Sequence, residues 1–268
     1  MDARPGLLAL FGSGETSPAG RRVHEHVFER LGRPVEVAIL DTPAGFETNA
    51  RAVADRIRVF VEHNLQNFRP VVELVSAHRA DTAGGTNDAA ALAPLLRANY
   101  LFAGPGSPSY AVRHLHDSLA LRYLRERWQA GAAIAAASAA AIALGRCALP
   151  VYEIFKAGHD PAWIDGLDLL GQHGFELAIV PHWNNAEGGR DFDSSFCFMG
   201  AQRFEALRAQ LPSACVVLGI DEQTGCVLDL PESRARVLGA GGVTVERAGE
   251  VRSCPAGESF PLDWLRSS

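Results

Sequence analysis

The chain has 268 residues, 47% of them hydrophobic, and a formal net charge of −6. That composition supplies a large core, while the scattered Lys and Arg exclude the clustered basic face that nucleic acid requires. No apolar run nears the roughly 20 residues that span a bilayer, so neither nucleic acid nor membrane is expected as a partner. The start, Met1-Asp2-Ala3-Arg4-Pro5, lacks the basic flank and apolar stretch of a signal peptide. Five cysteines (Cys147, Cys197, Cys215, Cys226, Cys254) form an odd set with no close pair. They read as reduced, buried thiols of a cytoplasmic protein, without zinc-site spacing. No linker, repeat or low-complexity block divides the chain, so one domain over 1–268 is expected.

Leu7 to Phe11 reads as a strand running into a turn at Gly12-Ser13-Gly14-Glu15. That turn lacks the third glycine of a dinucleotide site and the Gly-Lys-Ser/Thr of a phosphate loop, and Glu15 would repel a phosphate. Arg21 to Leu31 is helical in pattern, with His24 and His26 expected on the surface. Val35 to Leu40 is a strand ending in Asp41-Thr42-Pro43-Ala44-Gly45, followed by an amphipathic helix from about Glu47 to Phe68. Val71 to Val75 is a third strand. Asn87 is placed to cap a helix carrying Leu92, Leu95 and Leu96. Tyr100 to Ala103 is a fourth strand, ending in Gly104-Pro105-Gly106-Ser107-Pro108. A helix over about Leu119 to Gln129 leads to the run Ala132-Ala133-Ile134-Ala135-Ala136-Ala137-Ser138-Ala139-Ala140-Ala141. Small residues two before and two after a lone serine fit a tight turn from a buried strand into a helix, with Ser138 as nucleophile. An Ala-rich helix with an incidental serine gives the same pattern.

Beyond Ala141 the pattern is irregular, and Pro150 to Gly171 is expected to form part of a pocket wall. Leu177 to Val180 is a strand followed at once by Pro181-His182-Trp183-Asn184-Asn185. Asn184 to Cys197 is a long polar loop of the kind that can close over a site. Met199 to Leu211 is helical. Val216 to Ile220 is a strand leaving into Asp221-Glu222-Gln223-Thr224, where one acid could orient His182. Gly225 to Asp229, Arg234 to Leu238 and Val243 to Arg247 read as antiparallel strands extending the sheet edge. The alternation of strand and helix predicts an α/β, flavodoxin-like three-layer sandwich: a mostly parallel sheet, helices on both faces, antiparallel strands near the C-terminus. Ligands bind such sheets at the C-terminal strand ends, which is where Glu15, Thr42, Gly104, Gly106 and Ser138 would converge.

The order of Gly12-Ser13-Gly14-Glu15, Thr42-Pro43-Ala44-Gly45-Phe46, Gly104-Pro105-Gly106, Ala137-Ser138-Ala139, a histidine after a strand, and Gly219-Ile220-Asp221-Glu222-Gln223-Thr224 resembles peptidase family S51, the family of dipeptidase E and cyanophycinase. The similarity runs from about Leu7 to Val245. It implies the class I glutamine amidotransferase-like fold with Ser138 as nucleophile, His182 as general base and Glu222 as the acid behind the imidazole. It also implies an oxyanion hole from the N–H groups of Gly106 and Ala139. The chain departs from the family in having Ala136 and Ala140 where glycines are usual. It also has Pro105, which offers no N–H, and it keeps one arginine, Arg203, of the usual two.

The expected activity is hydrolysis of a small peptide or isopeptide amide through an acyl-enzyme, with no metal or organic cofactor. Gly104, Ser107, Glu15, Asn184 and Arg203 are the candidate substrate contacts. Arg203 is the leading cation for an acidic substrate, with Arg190 and Lys156 behind it. Two other readings stay open: a binding protein that has lost the chemistry, or a glutaminase using Cys147 or Cys197. A homodimer is compatible with the fold, though no residue requires it.

Overall fold

The computed structural model of the chain describes residues 4–267. In chain order the elements are β1 (Leu8–Phe11), α1 (Pro18–Leu31), β2 (Glu36–Leu40), α2 (Ala50–Asn64), β3 (Val71–Val75), α3 (Ala93–Arg97), β4 (Tyr100–Ala103), α4 (Pro108–Leu115), α5 (Leu119–Gln129), β5 (Ala133–Ala137) and α6 (Ala139–Ala143). The second half continues with β6 (Cys147–Ala148), α7 (Val151–Phe155), β7 (Ile164–Asp165), β8 (Leu177–Val180), α8 (Ser195–Phe198), α9 (Gly200–Arg208), β9 (Val216–Ile220), β10 (Thr224–Asp229), β11 (Arg234–Gly239), β12 (Gly242–Arg247), β13 (Glu250–Pro255) and β14 (Ser259–Pro261).

An eight-stranded sheet has the order β14-β11-β10-β1-β5-β4-β2-β3. Its strands from β1 to β3 run parallel, and β10, β11 and β14 add an antiparallel edge. The central strands are buried on both faces, as parallel strands covered by helices must be. Leu8, Leu10, Ile134, Ala136 and Leu101 point into one core, and Ala9, Phe11, Ala135, Ala137 and Phe102 into the other. This alternation follows from the two-residue period of a strand. The expected fold class is therefore present, with β1 and β5 at its centre.

The C-terminal strands do not all extend one edge. β12 pairs with β9 and β13, not with β11, in a second sheet ordered β13-β12-β9-β8-β6-β7. Alternating apolar residues announce a strand but not its partner, so this division was invisible in the pattern. A third apolar cluster, including Ile142, Ile154, Val180, Phe204 and Val217, packs α6, α7 and α9 onto the second sheet.

Three local expectations are corrected. His24 is fully buried, not on the surface. Its Nδ1 lies 2.5 Å from the Tyr100 hydroxyl and its Nε2 lies 2.9 Å from the Glu15 carbonyl oxygen. Asn87 does not cap α3; its Oδ1 accepts from Leu119 N–H at the start of α5, at 2.9 Å. The helix expected to run to Phe68 ends at Asn64, and a separate single turn covers Gln66–Phe68. No helix among the described residues is long and apolar enough to cross a membrane.

Candidate active site

Ser138 joins β5 to α6 with φ 52° and ψ −113°, a conformation that a side chain strongly disfavours. Surrounding structure must hold it there. Ser138 N–H donates to Phe11 O at 3.3 Å, and Ser138 O accepts from Ile142 N–H at 3.1 Å. Ala136 and Ala140 are buried on either side. The two alanines therefore fit the crowded turn that the sequence pattern suggested.

Two further loops meet this serine. Ser138 Oγ lies 2.9 Å from His182 Nε2, and His182 Nδ1 lies 2.8 Å from Glu222 Oε1. Asn185 Nδ2 donates to the same Oε1 at 2.7 Å. Burial alone would raise the Glu222 carboxyl, but hydrogen bonding to His182, Ser13 and Asn185 and the His182 charge outweigh it and hold it down at about 2. An ionised Glu222 accepts from Nδ1–H and so leaves Nε2 as the acceptor facing Ser138.

The turn Gly12 to Glu15 locks the two loops together. His182 N–H donates to Gly12 O at 3.2 Å, Gly12 N–H to Thr224 O at 2.8 Å, and Gln223 N–H to Ser13 Oγ at 2.9 Å. A Cβ on residue 12 would stand 2.1 Å from Asp221 O, so only glycine fits where these loops cross. Ser13 and Asn185 are the positioning residues that sequence reasoning passed over. Ser13 meets Gln223, 210 positions away, and Asn185 meets Glu222, 37 positions away, and no local pattern encodes such a contact.

A cavity of about 350 Å3 opens beside the serine, lined by Gly106, Ser138, Ala139, Ile142, His182 and residues of α7 and α8. Gly106 has φ 151°, and a Cβ there would stand 2.0 Å from Pro43 O. Neither Gly106 N–H nor Ala139 N–H has a protein acceptor among the described residues. Both border the cavity, so an anionic oxygen there could accept from them.

The other sequence candidates separate. Asn184 Oδ1 accepts from Glu222 N–H at 2.8 Å, which ties it to the acid's backbone and not to the cavity. Ser107 is buried and caps α4, its Oγ accepting from Tyr110 N–H at 3.2 Å. Thr42 is buried and donates to Ala77 O at 2.5 Å. Gly104 lies beneath, against Ile57 and Phe102. Arg203 and Arg190 are exposed and do not line the cavity; Lys156 does. Glu15 is half-buried and lies outside the lining. Burial raises its carboxyl above the usual range, against its own backbone N–H and the charges of His182 and Arg56. Cys197 does line the cavity, and burial pushes its thiol up, away from the thiolate a nucleophile needs. No group of three or more His, Cys, Asp or Glu among the described residues is arranged to hold a metal ion.

No family model and no curated protein matches the sequence. Solved structures do match. A peptidase from an acI-B1 Actinobacterium aligns with a TM-score of 0.77 at 19% identity, covering 97% of this chain and 98% of its own. A candidate Peptidase E protein of Listeria monocytogenes EGD-e aligns with a TM-score of 0.56 at 14% identity, covering 94% and 100%. The chain has the fold of these peptidases.

Proposed function

We propose that this protein is a serine hydrolase that cleaves a small peptide or isopeptide amide bond. The observation that carries the reading is the unbroken row from Ser138 Oγ through His182 to Glu222, at 2.9 and 2.8 Å. It begins at a serine whose backbone is held in a costly conformation. In this scheme His182 Nε2 takes the hydroxyl proton as Oγ attacks the substrate carbonyl carbon. Glu222 stabilises the imidazolium that results. The carbonyl oxygen becomes an oxyanion facing the N–H groups of Gly106 and Ala139. Each well-placed donor of this kind is worth about 10²–10³ in rate. The protonated imidazole then gives its proton to the departing amine, leaving an acyl-Ser138. Water, deprotonated by the same His182, hydrolyses the ester and restores the hydroxyl. The fold likeness to peptidases supports amide hydrolysis over other acyl transfers. Five free, buried cysteines support a reducing, cytoplasmic setting.

The test is covalent labelling with a fluorophosphonate probe. Wild-type protein labels, and Ser138→Ala does not while keeping its circular dichroism spectrum. Labelling that persists in a folded Ser138→Ala variant refutes the assignment. The same experiment decides the alternative motivated by Ala136, Ala140 and Pro105: a binding protein without chemistry would not label at all.

A further inference from the structure

The cavity beside Ser138 is apolar well past the reacting atoms. Ile142 from α6, then Val151, Tyr152 and Phe155 from α7, and Phe198 form its wall. Among the described residues its lining holds one Lys or Arg, Lys156. That side chain is exposed, with Nζ 4.3 Å from the Tyr152 ring centroid. The aromatic surface continues outward from this wall. Phe155 stacks on Phe192 with centroids 5.5 Å apart and 16° between planes, and Phe46 packs against Tyr152 at 6.2 Å. Phe46 and Phe192 are 46% and 40% exposed. Large apolar side chains left in water at the rim of a cleft mark a ligand-binding surface.

The two sides of Ser138 differ in character. On the Glu222 side stand Asn184 and Asn185, both engaged in hydrogen bonds to the acid or its backbone. The cavity itself is walled by α6 and α7. A carbonyl carbon over Ser138 Oγ, with its oxygen toward the N–H groups of Gly106 and Ala139, has Ile142, Val151, Tyr152 and Phe155 beside it for its acyl substituent.

We propose that the substrate's acyl group is uncharged and aromatic or branched aliphatic, held by Tyr152, Phe155 and Phe198, and that an acidic acyl group is selected against. This rests on Ser138 being the nucleophile. A carboxylate in this wall would lose water and find only Lys156, at the solvent edge, and an incompletely paired buried charge is costly. A ring instead gains the stacking and apolar contacts that the wall offers.

Three p-nitrophenyl esters test the inference: phenylacetate, acetate and the monoester of succinic acid. Each is assayed with wild-type protein, Ser138→Ala, Phe155→Ala and Lys156→Met. The expected wild-type order in kcat/KM is phenylacetyl over acetyl by about tenfold or more, with succinyl lowest. Phe155→Ala lowers the phenylacetyl-to-acetyl ratio of kcat/KM about tenfold. Lys156→Met keeps the order of the three esters, because no acyl carboxylate depends on that cation. The wild-type series stands on its own should Phe155→Ala fail to fold. If succinyl is the best substrate and Lys156→Met abolishes that preference, the inference is overturned while Ser138 keeps its role. Equal turnover of all three esters, lost in Ser138→Ala, overturns it in the same way. Turnover that survives in Ser138→Ala, or its absence in wild-type protein, overturns the serine-hydrolase reading itself.

Discussion

Glu222→Gln removes a charge yet leaves the hydrogen-bond pattern standing. His182 Nδ1 and Asn185 Nδ2 both donate to one oxygen, Oε1. A glutamine carbonyl in that place keeps the proton on Nδ1 and the Nε2 lone pair toward Ser138. Its new NH2 group faces Ser13, whose hydroxyl can accept as well as donate. What is lost is the attraction of the carboxylate for the imidazolium as the proton moves. For full charges roughly 4 Å apart at an effective dielectric near 20, this is about 4 kcal/mol. The side chains of His182 and Glu222 are 19% and 28% exposed, and the charge is only partly developed in the transition state. The loss is then about 1.5–2 kcal/mol, or roughly 10–30-fold in kcat/KM. Glu222→Ala also frees the imidazole to turn or change tautomer, and should cost about 10³-fold or more. The assay is steady-state hydrolysis of p-nitrophenyl acetate near pH 7.5. Two results refute the reasoning: Gln activity within twofold of wild type, which denies the charge a role, or Gln activity as low as Ala, which denies that the amide preserves the tautomer.

Two further outcomes follow from the same geometry. Gly106→Ala places a Cβ 2.0 Å from Pro43 O at a residue with φ 151°, so it should cost about 2 kcal/mol or more of stability and displace the N–H bordering the cavity. A lowered thermal midpoint together with slower fluorophosphonate labelling is expected, and unchanged labelling would remove Gly106 from the oxyanion hole. Burial holds the His24 imidazole down at about 4, against the acceptor at Glu15 O. Its folded value lies below the unfolded 6.5, so its contribution to stability is complete above pH 6.5 and is lost as pH falls toward 4. The ceiling is about 3 kcal/mol. Urea unfolding of wild-type protein and His24→Gln at pH 7 and 4.5 should show the variant less stable at pH 7 but less sensitive to pH. Parallel slopes would contradict the burial argument.

The architecture was legible wherever periodicity and breakers agree. Tyr100 to Ala103, Leu177 to Val180 and Val216 to Ile220 are strands with those same ends. The strand-to-helix turn at Ser138 was legible because such a turn tolerates only small neighbours. His24 was not, since a polar residue on a helix gives no sign that Tyr100, 76 positions later, will face it. Arg203 was carried by resemblance alone, and it stands on the exposed side of α9. The α7 part of the cavity wall lies in the stretch Pro150 to Gly171 that was expected to form one, but its continuation to Phe46 and Phe192 was hidden, because those residues belong to separate stretches.

Strain ties these observations together. Ser138, His182 and Gln223 have φ of 52°, 52° and 57°, and none is glycine. Each stands in a loop just past the C-terminal end of a strand: β5, β8 and β9. Positive φ at a residue with a side chain costs on the order of 1–3 kcal/mol. Two of them, Ser138 and His182, meet at one hydroxyl, and the loops are held by hydrogen bonds from His182 N–H to Gly12 O and from Gln223 N–H to Ser13 Oγ. A fold that needed only stability would relax them with glycine or a longer loop. Keeping side chains at these positions makes sense if the direction of the Ser138 hydroxyl and the His182 ring matters more than the local cost. Gly12, Ser13 and Asn185 carry no chemistry of their own and yet set the angle at which Ser138, His182 and Glu222 meet.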